Sequence, residues 1–199
     1  CGIRGESLTE CGRAVLARAR ELAAECMVLL KNDGVLPLAK GGRVAVIGAL
    51  AKEPNYMGCG SGHMNGWKID STYEELCRLL GEETDVSYAE GYRIVDRVCK
   101  EQGPDETLIA EAVSAAKEAD VVLFFTGLPV GYESEGYDRQ TLSLPADMEA
   151  ALRAVLETVQ SGTQNAPQGM AEAAAGKRVV VVNVSGAPVD LSLAKERAS

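Results

Sequence analysis

The sequence predicts an α/β protein, a three-layer α/β/α sandwich on a mostly parallel sheet, on three grounds. Arg43–Gly48, Asp120–Thr126 and Arg178–Val184 are short and almost continuously apolar, the pattern of strands buried on both faces. Between them lie stretches whose apolar residues recur every three or four positions, the period of a helix with one covered face. Strand and helix alternate, and right-handed crossovers then place helices on both sides of a parallel sheet.

Residues 11 to 31 carry Val15, Ala19, Leu22, Cys26 and Leu29, a 4-3-4-3 spacing that predicts a helix with one buried face. Asn32-Asp33-Gly34 is a stop signal, and Leu36-Pro37-Leu38 reads as an extended apolar anchor. Residues 1–38 are therefore expected to form a leading helix and linker, and residues 39–199 the sandwich. After the strand at Arg43–Gly48 comes a glycine-rich loop. A helix then opens on the capping box Ser71-x-x-Glu74 and carries Leu76, Leu79 and Leu80. A weaker strand follows at Asp85–Ala89. Helices at Pro104–Glu118 and Pro145–Val159, each with proline expected at its first position, precede the strands at Asp120–Thr126 and Arg178–Val184. Gln160–Gly176 is polar and rich in small residues, a surface excursion.

The bulk properties exclude several function classes. A chain of 199 residues, 46% hydrophobic and 25% charged, is large enough for one buried core. Its net charge of −9 and lack of any Lys/Arg cluster argue against a nucleic acid or an anionic membrane as partner. No run approaches the roughly 18 apolar residues of a membrane span, and the N-terminus lacks the order of a signal peptide, so a cytoplasmic protein is expected. The six cysteines are scattered without a C-x-x-C pair and read as free thiols. His63 is the only histidine, with no second ligand at metal-site spacing, so neither metal nor cofactor is expected. Cys1 in place of methionine suggests a processed or excised piece.

In open α/β sheets ligands bind beyond the carboxyl ends of the strands, here the loops 49–66, 127–143 and 185–192. In the first, Gly58, Gly60 and Gly62 alternate with Cys59 and Ser61 before His63. Such a loop either lets backbone approach phosphate or sugar hydroxyls or simply needs positive φ angles. It is not a dinucleotide fingerprint, because Gly58 comes ten residues after Gly48 and the next helix starts only near Ser71. The second loop holds Glu133, Glu135, Asp138 and Arg139 among Tyr132, Tyr137 and two glycines. It reads either as a solvated acidic turn with an internal Asp–Arg pair or as a site. The interleaved tyrosines favour a site, since such rings form amphipathic walls suited to sugars. A glutamate crowded by a second carboxylate and screened from water acquires the raised pKa that a general acid needs. The third loop, Ser185-Gly186-Ala187-Pro188, is a tight turn that says little by itself.

Together these stretches resemble the α/β-sandwich domain of glycoside hydrolase family 3, the β-glucosidase and β-xylosidase family. Ala23-Ala24-Glu25 through Val28-Leu29-Leu30-Lys31-Asn32 to Leu36-Pro37-Leu38 is similar to the family's A-A-E-x-x-V-L-L-K-N-x-x-x-L-P-L lead-in. Val44–Gly48 and Gly58–Gly62 resemble its first strand and glycine-serine loop. Glu135-Gly136-Tyr137-Asp138-Arg139 followed by Leu142-Ser143-Leu144-Pro145 resembles E-G-x-D-R…L-x-L-P, and Val180–Pro188 resembles V-V-V-x-x-S-G-x-P-V. The likeness runs over nearly the whole chain.

The resemblance implies a retaining β-glycosidase of two domains, with an aspartate nucleophile on a (β/α)8 barrel and the acid/base glutamate on the sandwich. Glu135 matches the acid/base position, with Glu133 as the fallback two residues away. Tyr132, Gly60, Ser61 and His63 are the expected substrate-binding residues, Asp138 and Arg139 the supports of the loop, the arginine through a bidentate pairing. The expected partners are a β-linked oligosaccharide or glycoside and the barrel. No Ser-Asp-Trp nucleophile motif occurs in the 199 residues, Leu193 stands where the family has an aromatic, and the chain stops at Ser199, so a fragment or a truncated copy is expected, inactive by itself. A non-catalytic carbohydrate-binding or assembly module of the same fold is the alternative. A nucleotide-binding doubly wound domain is the third reading.

Overall fold

The computed structural model describes residues 10–56, 61, 66, 68–94, 103–133, 136, 138–164 and 178–199, in two compact units divided after Asn32. The first unit contains helix α1 (Glu10–Glu25), which ends six residues before the predicted stop at 31. Its last turn carries acids and no base, so nothing offsets the negative end of the helix dipole there. Among the described residues of this unit nothing packs on the predicted apolar stripe, and Val15, Leu22 and Leu29 are exposed. Periodicity locates an apolar face but does not supply its partner.

The second unit runs β1 (Gly42–Ile47), α2 (Thr72–Leu80), β2 (Thr84–Ala89), α3 (Glu106–Glu118), β3 (Val121–Gly127), α4 (Ala146–Gln164), β4 (Arg178–Val184) and α5 (Ser192–Arg197), with short 3₁₀ turns at Ala49–Ala51 and Val130–Tyr132. The sheet is entirely parallel, in the order β2-β1-β3-β4. Val46 lies beside Tyr88 and Leu123, and Leu123 beside Val180, so these four face one side. On that side Tyr73 of α2 meets Tyr88 edge-on, ring centroids 5.3 Å apart. Ile47 and Phe124 face the other side, where α3 and α4 pack together. A side chain at Gly91 would touch Ile47, Ala112 and Ala151 at once, which shows how closely β1, α3 and α4 converge. The expected three layers are thus present, with α2 alone on one face and α3 and α4 on the other.

Burial follows topology. Central β1 and β3 are buried over Val44–Ile47 and Val122–Gly127, while β2 at one edge alternates and β4 at the other is half-buried beyond Val180. Local signals set the element ends. Ser71 caps α2 by accepting from the Glu74 amide, as its capping box predicts. In α3 the cap is Asp105, whose carboxylate accepts from the Thr107 and Leu108 amides, so Pro104 precedes the cap instead of taking the first helical position. Likewise the Pro145 carbonyl accepts from the Glu149 amide, which makes proline the residue before α4. That helix also continues to Gln164, into the stretch predicted as excursion, whose remainder, 165–176, lies outside the described residues.

Tyr92, just past β2, is 1% exposed and ties three segments together. Its hydroxyl donates to the Phe125 carbonyl of β3 at 2.8 Å and accepts from the Leu50 amide after β1 at 3.4 Å. Burial pushes this phenol far above its ordinary pKa. Beside it stands Gly48, with φ +121°, where an added Cβ would lie 2.5 Å from the Phe125 carbonyl oxygen and 3.0 Å from the Tyr92 hydroxyl. Only glycine fits where β1 turns out of the sheet. Among the described residues no helix is long and apolar enough to cross a membrane.

Candidate active site

The chain moves from β1 outward to β2 and then returns across β1 to β3, so the order reverses between β1 and β3. At such a switch point the loops leaving the two strands part in opposite directions and leave a crevice. Three loops meet at this edge. The first leaves β1 through Gly48 and the buried turn Ala49–Ala51, and Asn55 ties it to the second by donating from Nδ2 to the Leu128 carbonyl at 2.7 Å. The second leaves β3 through Gly127, where a Cβ would collide with the Val184 carbonyl of β4, and passes the Val130–Tyr132 turn to Glu133. The third leaves β4 as Ser185–Pro188.

The second and third loops are joined at three points. Glu133 accepts at Oε2 from the Gly186 amide at 3.2 Å. Arg139 donates from Nη2 to the Pro188 carbonyl at 2.5 Å. Farther on, the Asp190 amide donates to the Leu142 carbonyl at 2.8 Å. The Asp190 carboxyl, held below its usual range by the hydroxyl and amide of Ser192, fixes the start of α5. Between the loops lies a cavity of about 640 Å³ whose lining includes Tyr132, Glu133, Asp138, Arg139, Gly186 and Ala187. That size, and a lining that mixes polar groups with apolar surface, suit one or two sugar rings.

Among the described residues, the buried side-chain polar atoms without a hydrogen-bond partner are Asn55 Oδ1, Arg139 Nη1 and Asn183 Oδ1. All three belong to the segments that form this edge. Buried polar groups are nearly always paired, by water where not by protein, and of these three Arg139 lines the cavity.

Of the predicted site residues, Tyr132, Glu133, Asp138 and Arg139 line the one cavity, while Ser61 is exposed. Glu135, Gly60 and His63 lie outside the described residues. The bidentate pairing expected of Arg139 is not what this guanidinium makes: one nitrogen goes to the Pro188 carbonyl and the other is unpartnered, and no ion pair joins it to Asp138 among the described residues. The carbonyl at Pro188 is free to accept because a tight turn exposes it, whereas adjacent side chains on an extended segment diverge. Sequence reasoning missed Asn55, Asn183, Gly186 and Pro188. Glycine and proline in a turn directly after a buried strand were the available signal for the last two.

This arrangement defines a doubly wound α/β domain whose ligand crevice is assembled from loops at the carboxyl edge of its sheet. A family profile described as "Glycosyl hydrolase family 3 C-terminal domain" matches residues 27–199. Thermostable beta-glucosidase B of Acetivibrio thermocellus is 43% identical over 174 residues, which cover 87% of this chain and 20% of that protein. An exo-alpha-(1->6)-L-arabinopyranosidase of Bifidobacterium longum is 40% identical over 157 residues, 74% of this chain and 19% of that protein. Among solved structures, the Bifidobacterium adolescentis GH3 beta-glucosidase superposes with a TM-score of 0.71 at 35% identity, covering 96% of this chain and 24% of that one. The chain belongs to glycoside hydrolase family 3, as the C-terminal-domain type of that family. It spans about a fifth of the length of these curated relatives.

Proposed function

We propose that this chain is the α/β-sandwich domain of a retaining β-glycosidase and that Glu135 is its general acid/base, acting with a carboxylate nucleophile on a (β/α)8 barrel domain. The supporting observation is the pinned cavity at the carboxyl edge, lined by residues that bracket Glu135 in sequence, within a chain 43% identical to a β-glucosidase. In this mechanism the barrel carboxylate attacks the anomeric carbon as the glycosidic C–O bond breaks, and Glu135 gives its proton to the departing oxygen. Glu135, now a carboxylate, takes a proton from water, whose oxygen displaces the nucleophile and releases the sugar. The two carboxyl groups work roughly 5–5.5 Å apart, a separation that a loop from a second domain supplies across an interface. Tyr132 offers an apolar ring and a polar tip at the cavity wall, and Ser61, Gly60 and His63 of the glycine-rich loop contribute on the leaving-group side.

The test is Glu135→Gln in the intact enzyme that carries this domain. Hydrolysis of substrates with poor leaving groups should fall by a factor of about 10² to 10⁴, while activated aryl glycosides are much less affected in the glycosylation step. Wild-type rates on poor-leaving-group substrates remove Glu135 from the role. Binding of oligosaccharide without turnover by the wild-type enzyme makes the domain a carbohydrate-binding module instead.

A further inference from the structure

Glu133 and Arg139 bracket Glu135 in the chain, two residues before it and four after. Both reach across to the same turn, Glu133 to the Gly186 amide and Arg139 to the Pro188 carbonyl, over sequence separations of 53 and 49 residues. The two contacts have opposite polarity. The carboxylate meets a donor and the guanidinium meets an acceptor, so exchanging the partners would break both. Gly186 suits this contact: a Cβ there would lie 3.1 Å from Glu133 Oε1, close enough that the carboxylate would have to shift by a few tenths of an ångström. Glycine at this position lets the carboxylate settle against bare backbone.

From this geometry we infer that Glu133 is the positioning residue of the acid loop, a clip to the Gly186 amide that, with Arg139, holds both ends of the segment carrying Glu135. The inference rests on the proposed role of Glu135 and assigns Glu133 a different task from the fallback acid. Two anchors on one turn, with five residues between them, make a short closed loop, and short loops carry a small closure entropy. Acid catalysis needs such preorganisation, because a displacement of about 1 Å costs on the order of 10²-fold in rate. The anchor is the turn after β4, which in turn is held by β3 through the whole Val121–Gly127 to Arg178–Val184 ladder. The two anchors, Glu133 and Arg139, are thereby tied to the sheet.

Three variants separate the roles. Glu133→Gln keeps an oxygen that accepts from the Gly186 amide but cannot serve as an acid. Glu133→Ala removes the clip, and Gly186→Ala displaces it from the other side. In the intact enzyme, kcat on poor-leaving-group substrates should stay within about 3-fold of wild type in Glu133→Gln and fall about 10- to 100-fold in both alanine variants. The double alanine variant should be no worse than either single one. The basic limb of the pH profile, which reports the acid, should keep its position in Glu133→Gln. A Glu133→Gln variant as slow as Glu133→Ala, with its basic limb lost and its activity restored by azide on activated substrates, makes Glu133 the acid and overturns the inference. A separate measurement follows amide exchange in the intact enzyme by mass spectrometry: the Gly186 amide should exchange more slowly in wild type and Glu133→Gln than in Glu133→Ala. Rapid exchange in wild type refutes the clip whatever the enzyme does. Wild-type rates in Glu135→Gln strike at the reading of Glu135 alone, and thermal melts of each variant show whether loss of fold accounts for loss of rate.

Discussion

Removing the single oxygen at Tyr92 tests the account of how the carboxyl edge is held. Tyr92→Phe keeps the ring, which packs 6.3 Å from Phe124, and deletes a hydroxyl that serves two backbone groups. The Phe125 carbonyl loses a 2.8 Å hydrogen bond, about 1 kcal/mol for a neutral pair. The Leu50 amide, in a residue 3% exposed, loses its acceptor, and an unpaired buried donor costs at least another ~1 kcal/mol. The expected loss is about 2 kcal/mol, which for a domain of this size lowers Tm by roughly 4–8 °C. Thermal and urea denaturation followed by circular dichroism measure it, with Tyr56→Phe at an exposed site as a control expected to stay within about 0.5 kcal/mol. A Tyr92→Phe loss below about 0.5 kcal/mol would show that the hydroxyl is not the tie between β1, β2 and β3 described above. Tyr92→Ala, which also removes the ring packed against Phe124, should lose more than Tyr92→Phe.

Further outcomes follow from the same structure. Gly48→Ala forces a Cβ to 2.5 Å from a backbone oxygen at φ +121°, and a loss of about 3 kcal/mol or more, seen as failure to accumulate folded protein at 37 °C, is expected; a normal melt would refute the close approach. Burial raises Tyr88 to about 12, above its unfolded value near 10, so the stability it contributes is full below pH 10 and is lost as pH rises toward 12; absorbance at 295 nm should show this phenol ionising late, and the decline should shrink in Tyr88→Phe. Asp147 is also shifted upward, chiefly by burial, so its contribution is full below pH 3.8 and declines as pH rises through the folded value; Asp147→Asn should therefore gain stability at pH 7 relative to pH 3, and an equal effect at both would be evidence against that burial. The Asp105 cap is shifted the other way, mainly by the Leu108 amide, so its contribution is present above pH 3.8 and is lost on acidification; Asp105→Asn, which keeps a capping oxygen, should flatten that acid limb without loosening α3, as amide exchange would report.

Whatever depends on local pattern was open to reading. The continuous apolar run Arg178–Val184 is β4 to the residue, and Ser71-x-x-Glu74 located the cap of α2. The end of α1 was overrun because the apolar spacing continues to Leu29 after the hydrogen bonding has stopped. Pro104 was placed inside α3 because the competing cap, Asp105, is visible only once its carboxylate is seen on two amides. Long-range contacts were closed to inspection for a plain reason: nothing in a run of residues says which carbonyl, some 50 positions away, an arginine will reach. Glu133, Asp138 and Arg139 could be nominated as a cluster from the acids and tyrosines around them. The Gly186–Pro188 turn that Glu133 and Arg139 both reach could not. Tyr92 escaped notice because it follows a weak edge strand, although an aromatic directly after glycine at a strand end is the sort of position worth watching.

The end of α1 has a practical side. Directly beyond it, Met27, Val28, Leu29 and Leu30 stand between 65% and 79% exposed, next to the exposed free thiol of Cys26. Four consecutive exposed apolar side chains favour association, and the adjacent thiol can turn such a contact into a disulfide under air. The consequence to expect of the 199-residue chain is disulfide-linked dimer on a non-reducing gel, absent in Cys26→Ser. Cys26→Ser with a charged residue at Val28 is the simplest way to keep it in solution, and it leaves every loop of the carboxyl edge untouched.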